Sequence, residues 1–152
     1  MKYLTWYIVF LLPAVLVARA ETSTLSADDW YKNHYAILYE ENPWDNVEQL
    51  GSMFDENLHH HQSDGAVVIA NGPKWIAEGV AGWQADGWLG STLAGYESEL
   101  LNATTAVFKA KWRDRYAGDI IEFECGWYMA DLKDDNWIIT QYADMDCEEH
   151  GL

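Results

Sequence analysis

The stretch TTAVFKAKWRDRY (Thr104–Tyr116) constrains the fold more than any other part of the chain. Ala106, Phe108, Ala110 and Trp112 alternate with Val107, Lys109, Lys111 and Arg113. A period of two marks a strand with one face buried and the other in water. The segments around it read the same way. STLAGYESELLN precedes it, and DIIEFECGWYMADL and NWIITQYADMDC follow, joined by Lys133-Asp134-Asp135. From Gly90 to Cys147 the pattern predicts one long antiparallel meander.

The residues before Gly90 are mainly helical in pattern. Ser26 can cap a helix whose first turn carries Asp28 and Asp29, where the helix dipole favours negative charge. Trp30, His34, Ile37 and Leu38 repeat at helical spacing, predicting a helix near 27–41 that stops at Asn42-Pro43. Trp44, Val47 and Leu50 form a second short stripe closed by Gly51. Pro73 suits a first helical turn, and Trp75, Ile76, Val80 and Trp83 predict a third helix near 73–86. Between them, MFDENLHHHQ and GAVVIANG read as two strands around Ser63-Asp64. Helices first and a meander after is α+β: a curved antiparallel sheet forming a cone, with about three helices over its concave face.

The first 20 residues stand apart. Lys2 precedes the apolar run WYIVFLLPAVLV, and Ala18-Arg19-Ala20 has small-x-small spacing. This is the pattern of a secretory signal peptide, too short to span as a mature helix. The alternative is an uncleaved anchor. Cleavage leaves residues 21–152 as one domain, periplasmic or extracellular, with no membrane segment in the mature form. It also removes two of the 9 basic residues and none of the 25 acidic ones, so the formal charge moves from −16 to 7 − 25 = −18. Such a polyanion repels phosphates, which argues against nucleic acid and anionic membrane surfaces as partners.

The order helix–helix–strand–strand–helix followed by four long strands resembles the nuclear transport factor 2-like fold over nearly all of Ser26 to Cys147. The closing CGWYMADLKDDNWIITQYADMD is similar to the last hairpin of its SnoaL-like members. That superfamily includes ketosteroid isomerases, polyketide cyclases, dehydratases, epoxide hydrolases and domains without catalysis. The resemblance implies a cone-shaped pocket closed by helices, and frequently a dimer; the sequence carries no glycine-rich phosphate loop and no metal-ligand spacing, so no cofactor is expected. Fold alone does not choose the chemistry.

Three residues are candidates for catalysis. His61 falls near the position of the general-base aspartate of the isomerase type, where a histidine would be a base near neutral pH. Alternation puts His59 and His61 on one strand face and His60 on the other. The competing reading is a polar strand end with solvated imidazoles, and a metal would need a further ligand from elsewhere. Tyr128 falls near the oxyanion-donor position of the isomerase-like members. Here the resemblance and the pattern disagree. Tyr128 shares a face with Glu122 and Glu124, while Ile121, Phe123, Cys125, Trp127 and Met129 make the opposite, more apolar face. Pattern turns the apolar face toward the helices; the resemblance turns Tyr128 inward. Asp144, near the end of the last strand, can orient a histidine or be a base, or simply be solvated.

Candidate ligand contacts are His59, Glu124 and Tyr142, with Tyr35, Trp83 and Trp88 as an aromatic wall. The mature chain carries eight tryptophans, more than a core of this size needs, which suggests an aromatic pocket or an interface. Two classes of function follow: an exported enzyme of the isomerase, cyclase or dehydratase kind working on an apolar, oxygenated small molecule by acid–base chemistry, and a non-catalytic domain that binds a hydrophobic ligand or itself. The second sheet face, which no helix covers, predicts a homodimer. Asn102-Ala103-Thr104 is a glycosylation sequon that a eukaryotic host would read.

The two cysteines complete the picture. A regular hairpin about Lys133–Asp135 puts Cys125 opposite roughly Asp144 and Cys147 opposite roughly Glu122, an offset of about 10 Å at the strand rise. An undistorted ladder therefore forbids the bond. A bulge near Asp144, or a tail that folds back after Met145, permits it.

Overall fold

A computed structural model describes residues 25–148, so the expected signal peptide lies outside the described residues. The first helical segment, α1 (27–39), opens as an α-helix at Ala27–Trp30, with the Ser26 hydroxyl accepting from the Asp29 N–H at 3.2 Å. It widens into a π-helical turn at Tyr31–Tyr35 and tightens to a 3₁₀ turn at Ala36–Tyr39. The widened turn brings Tyr31, Tyr35 and Tyr39 onto one buried face, while His34 and Ile37 point to solvent. Trp30 and Leu38 of the expected stripe are buried, while His34 and Ile37 are corrected, because the stripe assumed a regular 3.6-residue turn.

The second segment, α2 (43–51), follows Asn42 in the left-handed region, and α3 (Gly72–Ala85) is capped by the Asn71 side chain, which accepts from the Lys74 N–H at 3.0 Å. Six strands follow in chain order: β1 (Phe54–His61), β2 (Val67–Ala70), β3 (Trp88–Asn102), β4 (Thr105–Tyr116), β5 (Ile120–Lys133) and β6 (Asn136–Met145). They form one sheet in the order β2-β1-β6-β5-β4-β3. The meander β3 to β6 is antiparallel as expected, but β1 pairs with β6 in parallel, so the sheet is mixed. A parallel pair needs a long connection between its strands, and β2, α3 and the meander supply it.

The β5–β6 connection is a two-residue turn in which Asp134 and Asp135 both take positive φ (49° and 64°), the geometry that matches strand twist in a tight hairpin. Register slips by one residue at Thr140, since Met129 faces Gln141 while Ala130 faces Ile139. Cys125 consequently faces Met145, where the strand ends. The chain then turns, with the Asp146 side chain accepting from the Glu148 N–H at 2.8 Å, and Cys147 comes back over the hairpin. The Cys125 and Cys147 Cα atoms lie 5.3 Å apart and the sulfurs are bonded. The regular ladder is therefore corrected on two counts: the slip is at Thr140 rather than near Asp144, and the tail folds back after Met145.

All three helical segments cover one side of the sheet. There Phe108, Ala106, Ala110, Ala130 and Ile139 pack beneath Trp30, Tyr31 and Tyr35. Tyr31 stacks on Phe108 at 4.5 Å between ring centroids. Gly90 lets β3 pass under the end of α1; a Cβ there would sit 2.6 Å from the Glu40 carbonyl oxygen, and its φ of 128° is open only to glycine.

Candidate functional site

The face that β4 presents to the helices continues past the core. Ala106, Phe108, Ala110 and Trp112 are followed two residues on by Asp114, also buried at 5% exposure. On β5 the partners of Trp112 and Asp114 are Glu124 and Glu122, and farther along Gly126 and Tyr128 lie opposite Ala110 and Phe108. The inner face is thus apolar at one end and acidic at the other. Where they meet is a cavity of about 50 Å³. Tyr39, Trp83, Trp88, Trp112, Tyr128 and Tyr142 contribute to its walls, together with Ser91, Asp114, Tyr116 and Glu124.

Tyr128 is turned inward, 6% exposed, while Phe123 on the same strand points outward and is 53% exposed. The resemblance placed this residue correctly and the hydrophobic pattern did not. The Tyr128 ring lies back across Gly126, where a Cβ would come within 2.9 Å of its hydroxyl oxygen. Trp112 Nε1 donates to the Tyr128 hydroxyl at 3.0 Å. Burial holds the Tyr128 phenol well above its usual range, although the Trp112 hydrogen bond favours the phenolate. The phenol therefore stays protonated at neutral pH.

At the other side of the cavity Trp88 Nε1 donates to Ser91 Oγ at 3.0 Å, and the Ser91 hydroxyl donates in turn to the Asp114 carboxylate. Burial pushes the Asp114 carboxyl up, opposed by the Ser91 hydrogen bond and reinforced by the charge of Glu122. Glu124 is also raised, first by the neighbouring protein that partly desolvates it and then by Asp114, Asp144 and Glu122, although unlike Asp114 it is open to solvent at the rim. Tyr116 is pushed up to about 12, by burial and then by the charges of Glu124, Asp114, Glu122 and Asp86. Two carboxyls with a shifted proton affinity beside a protonated phenol can hold and move a proton, or hold a positive charge.

The histidines divide as alternation requires, but the inward one is His60. Leu58 is fully buried, and His60 lies two residues on, on the same face. His60 packs against Trp75 and Tyr142, with ring centroids at 5.3 and 5.4 Å. His59 and His61 share the outer face, where His61 Nε2 meets Gln141 Oε1 at 3.2 Å and its ring abuts Trp127. The expected pairing of His61 with Tyr128 across one cavity is corrected: the two lie on opposite sides of the sheet, because strand parity is set by Leu58. His59 is likewise removed from the cavity. Asp144 does stand beside a histidine, its Oδ2 3.7 Å from His60 Nε2, and accepts from the Tyr142 hydroxyl at 2.6 Å. His60 Nε2 has no hydrogen-bond partner among the described residues.

Tyr35, Trp83, Trp88, Glu124, Tyr128 and Tyr142 are brought together at the cavity; His59 and His61 are not, and Asp144 lies behind Tyr142. Sequence reasoning missed Asp114, Ser91, Trp112, Trp75 and Tyr39. For Asp114 a signal existed: it is the next step of the alternation that buries Phe108 and Trp112, a carboxylate on an otherwise apolar face.

No protein-family model matches this sequence, and no curated protein sequence is significantly similar to it. Solved structures do share its architecture. A nuclear transport factor 2-like protein of unknown function from Shewanella oneidensis superposes with a TM-score of 0.59 at 16% identity, covering 78% of this chain and 98% of that one. A protein from Xanthomonas campestris provisionally described as a polyketide cyclase gives 0.52 at 15% identity, covering 76% and 87%. One from Shewanella frigidimarina provisionally described as a ketosteroid isomerase gives 0.51 at 12% identity, covering 66% and 82%. At these identities the likeness establishes the fold: this chain has the nuclear transport factor 2-like α+β cone.

Proposed function

We propose that this cone is a small-molecule-binding protein, exported, whose ligand sits in the aromatic cavity between α1, α3 and the inner face of β3 to β6. The observation that carries this reading is the cavity itself: four tryptophans and several tyrosines turned onto one space, with a buried carboxylate among them. Stability alone rewards filling such a space. Its 50 Å³ is well below the several hundred Å³ of a drug-sized site, so it suits a small molecule or one end of a larger one. Native mass spectrometry of the protein purified from its host, with tryptophan fluorescence against a panel of small apolar molecules, tests it. A bound mass and saturable quenching are expected; neither appearing would overturn the reading.

A second reading, proton transfer on an oxygenated ligand, is favoured by one arrangement. Asp114 and Glu124 have raised proton affinity on the same inner face as the protonated Tyr128 hydroxyl. Asp114, not His61, is the base this geometry offers, with Tyr128 donating to the oxygen on which charge develops. Deuterium incorporation into enolisable ketones in D₂O, faster with the native chain than with Asp114→Asn, is the expected outcome.

The disulfide and the apolar leader both support export into an oxidising compartment. The outer sheet face, with Ile121 and Phe123 exposed beside half-buried Trp127 and Met129, supports a homodimer through that face. Light scattering at micromolar concentration is expected to give twice the chain mass.

A further inference from the structure

The cavity holds negative charge that its own walls do not answer. Asp114 and Glu124 are its charged lining residues, and neither Lys, Arg nor His joins them. The other charges that raise their proton affinity, Glu122 and Asp144, are also acidic. The basic side chains of β4 go elsewhere. Lys109 pairs with Glu97, Lys111 lies over the Phe123 ring in an outer cleft whose rim it shares with Glu124 and Asp144, and Arg113 is exposed, so none of the three enters the cavity. Arg115 donates from Nη2 to the Glu40 carbonyl at 2.8 Å. His60, the inward histidine, stands 3.7 Å from Asp144 and does not line the cavity. Among the described residues no three His, Cys, Asp or Glu side chains converge with metal-ligand spacing.

The aromatic walls supply the other half of the chemistry. Neighbouring rings meet at steep angles instead of stacking flat: Trp83 and Trp88 at 63° and 5.3 Å, Tyr39 and Trp112 at 50° and 5.2 Å, Trp75 and Tyr142 at 49° and 5.1 Å. Rings set at angles around a space make a cage whose electron-rich faces attract an alkylated cation. A buried carboxylate strengthens that attraction, since a charge out of water needs a partner. A neutral oxygenated ligand would leave Asp114 unanswered, and an anion would meet four acids. The small volume fits a compact headgroup.

We infer that the cavity recognises a small organic ammonium ion, with the aromatic cage enclosing its alkyl groups and Asp114 and Glu124 balancing its charge. The inference rests on the small-molecule reading above and names the ligand class of that same site. Asp114 and Glu124 must be ionised to bind the cation. Among the groups facing them (Glu122, Asp144, Tyr116, Ser91 and Trp88) the acids oppose that ionisation, so cation affinity falls as pH is lowered through their raised titration range.

Choline and 3,3-dimethylbutan-1-ol differ only in nitrogen against carbon at the centre of the bulky group, so they separate charge from shape. Titration of the full mature chain with each, followed by tryptophan fluorescence at matched ionic strength, is the test. Choline is expected to bind about tenfold or more tightly than its neutral isostere. Asp114→Asn is expected to remove most of that preference while leaving the isostere's affinity within about twofold. Glu124→Gln, at the more open lip, is expected to lower the preference several-fold and covers the case in which Asp114→Asn fails to fold. Equal binding of the two compounds overturns the inference and leaves the small-molecule reading standing. Binding of neither overturns both. A choline preference untouched by the folded carboxylate variants places the cation elsewhere and overturns the inference as well.

Discussion

The inner face of β4 and β5 has two ends built on the same alternation to opposite purposes. At one end Phe108 and Ala130 are fully buried under Tyr31, and the chain gains what apolar burial gives, about 25 cal/mol per Å² removed from water. Six residues along β4, Asp114 occupies the same kind of position, equally hidden, with Glu122 and Glu124 across from it and no basic partner among the described residues. A fold under selection for stability alone would carry the apolar pattern to the end of the strand. That it stops, and that four tryptophans gather at the place where it stops, locates the site more securely than any one residue does.

The largest effect should come from the packed end. Phe108→Ala removes a fully buried ring from beneath Tyr31 and is expected to destabilise the chain by about 3–5 kcal/mol in urea unfolding. A loss under 1 kcal/mol would mean that this end is not the core. Next is the tether. Cys125 and Cys147 close a loop of sequence separation 22, and Cys147→Ser, or reduction, is expected to cost about 3 kcal/mol in chain entropy. Intact mass after alkylation without reductant should show no modified thiol in the native chain.

Gly126→Ala probes the junction between the two ends. The added Cβ strikes the Tyr128 ring, and about 1–3 kcal/mol of destabilisation is expected, with Tyr128 displaced from Trp112. The near-ultraviolet circular dichroism of the aromatic cluster should change while the far-ultraviolet spectrum is kept. The smallest effect has the opposite sign. Asp114→Asn relieves a buried charge while keeping a partner for Ser91, and is expected to stabilise the chain at pH 7 by on the order of 1 kcal/mol.

That gain is pH-dependent. The folded state raises the Asp114 proton affinity, so the native chain carries the penalty above the folded pKa and sheds it as pH falls toward the unfolded value. The advantage of Asp114→Asn should therefore shrink on acidification. Asp28 and Asp55, lowered chiefly by hydrogen bonds from Lys32 and Lys133, behave in reverse: their stabilisation is present above the unfolded pKa and lost as pH falls through the folded one. Thermal unfolding of both chains between pH 4 and 8 (roughly the range in which carboxylates titrate) separates the two groups. An advantage that grows on acidification would contradict the account of Asp114.

Local signals were legible in the chain because their causes are local. Ser26 caps a helix since it precedes a helical turn with an unpaired N–H. Asp134-Asp135 turns the last hairpin, because short polar side chains tolerate positive φ. The alternation of β4 marks a strand with one wet face and one dry. What alternation cannot say is which face of a neighbouring strand joins the dry side. On β5 the more apolar set, with Phe123, went outside, and Glu124 and Tyr128 went inside, because the register with β4 puts Tyr128 opposite Phe108. The same indifference hid His60: parity separates it from His61, but only the packing of Leu58 chooses between them. The disulfide depended on a one-residue slip at Thr140 and a returning tail, neither of which leaves a mark in the spacing of two cysteines. The sequence by itself thus determined the elements, their order and their two-sidedness, through interactions a few residues long. Pairing and register decided the rest, since only they bring Asp114 on β4, Glu124 on β5 and Trp88 on β3 to a single cavity.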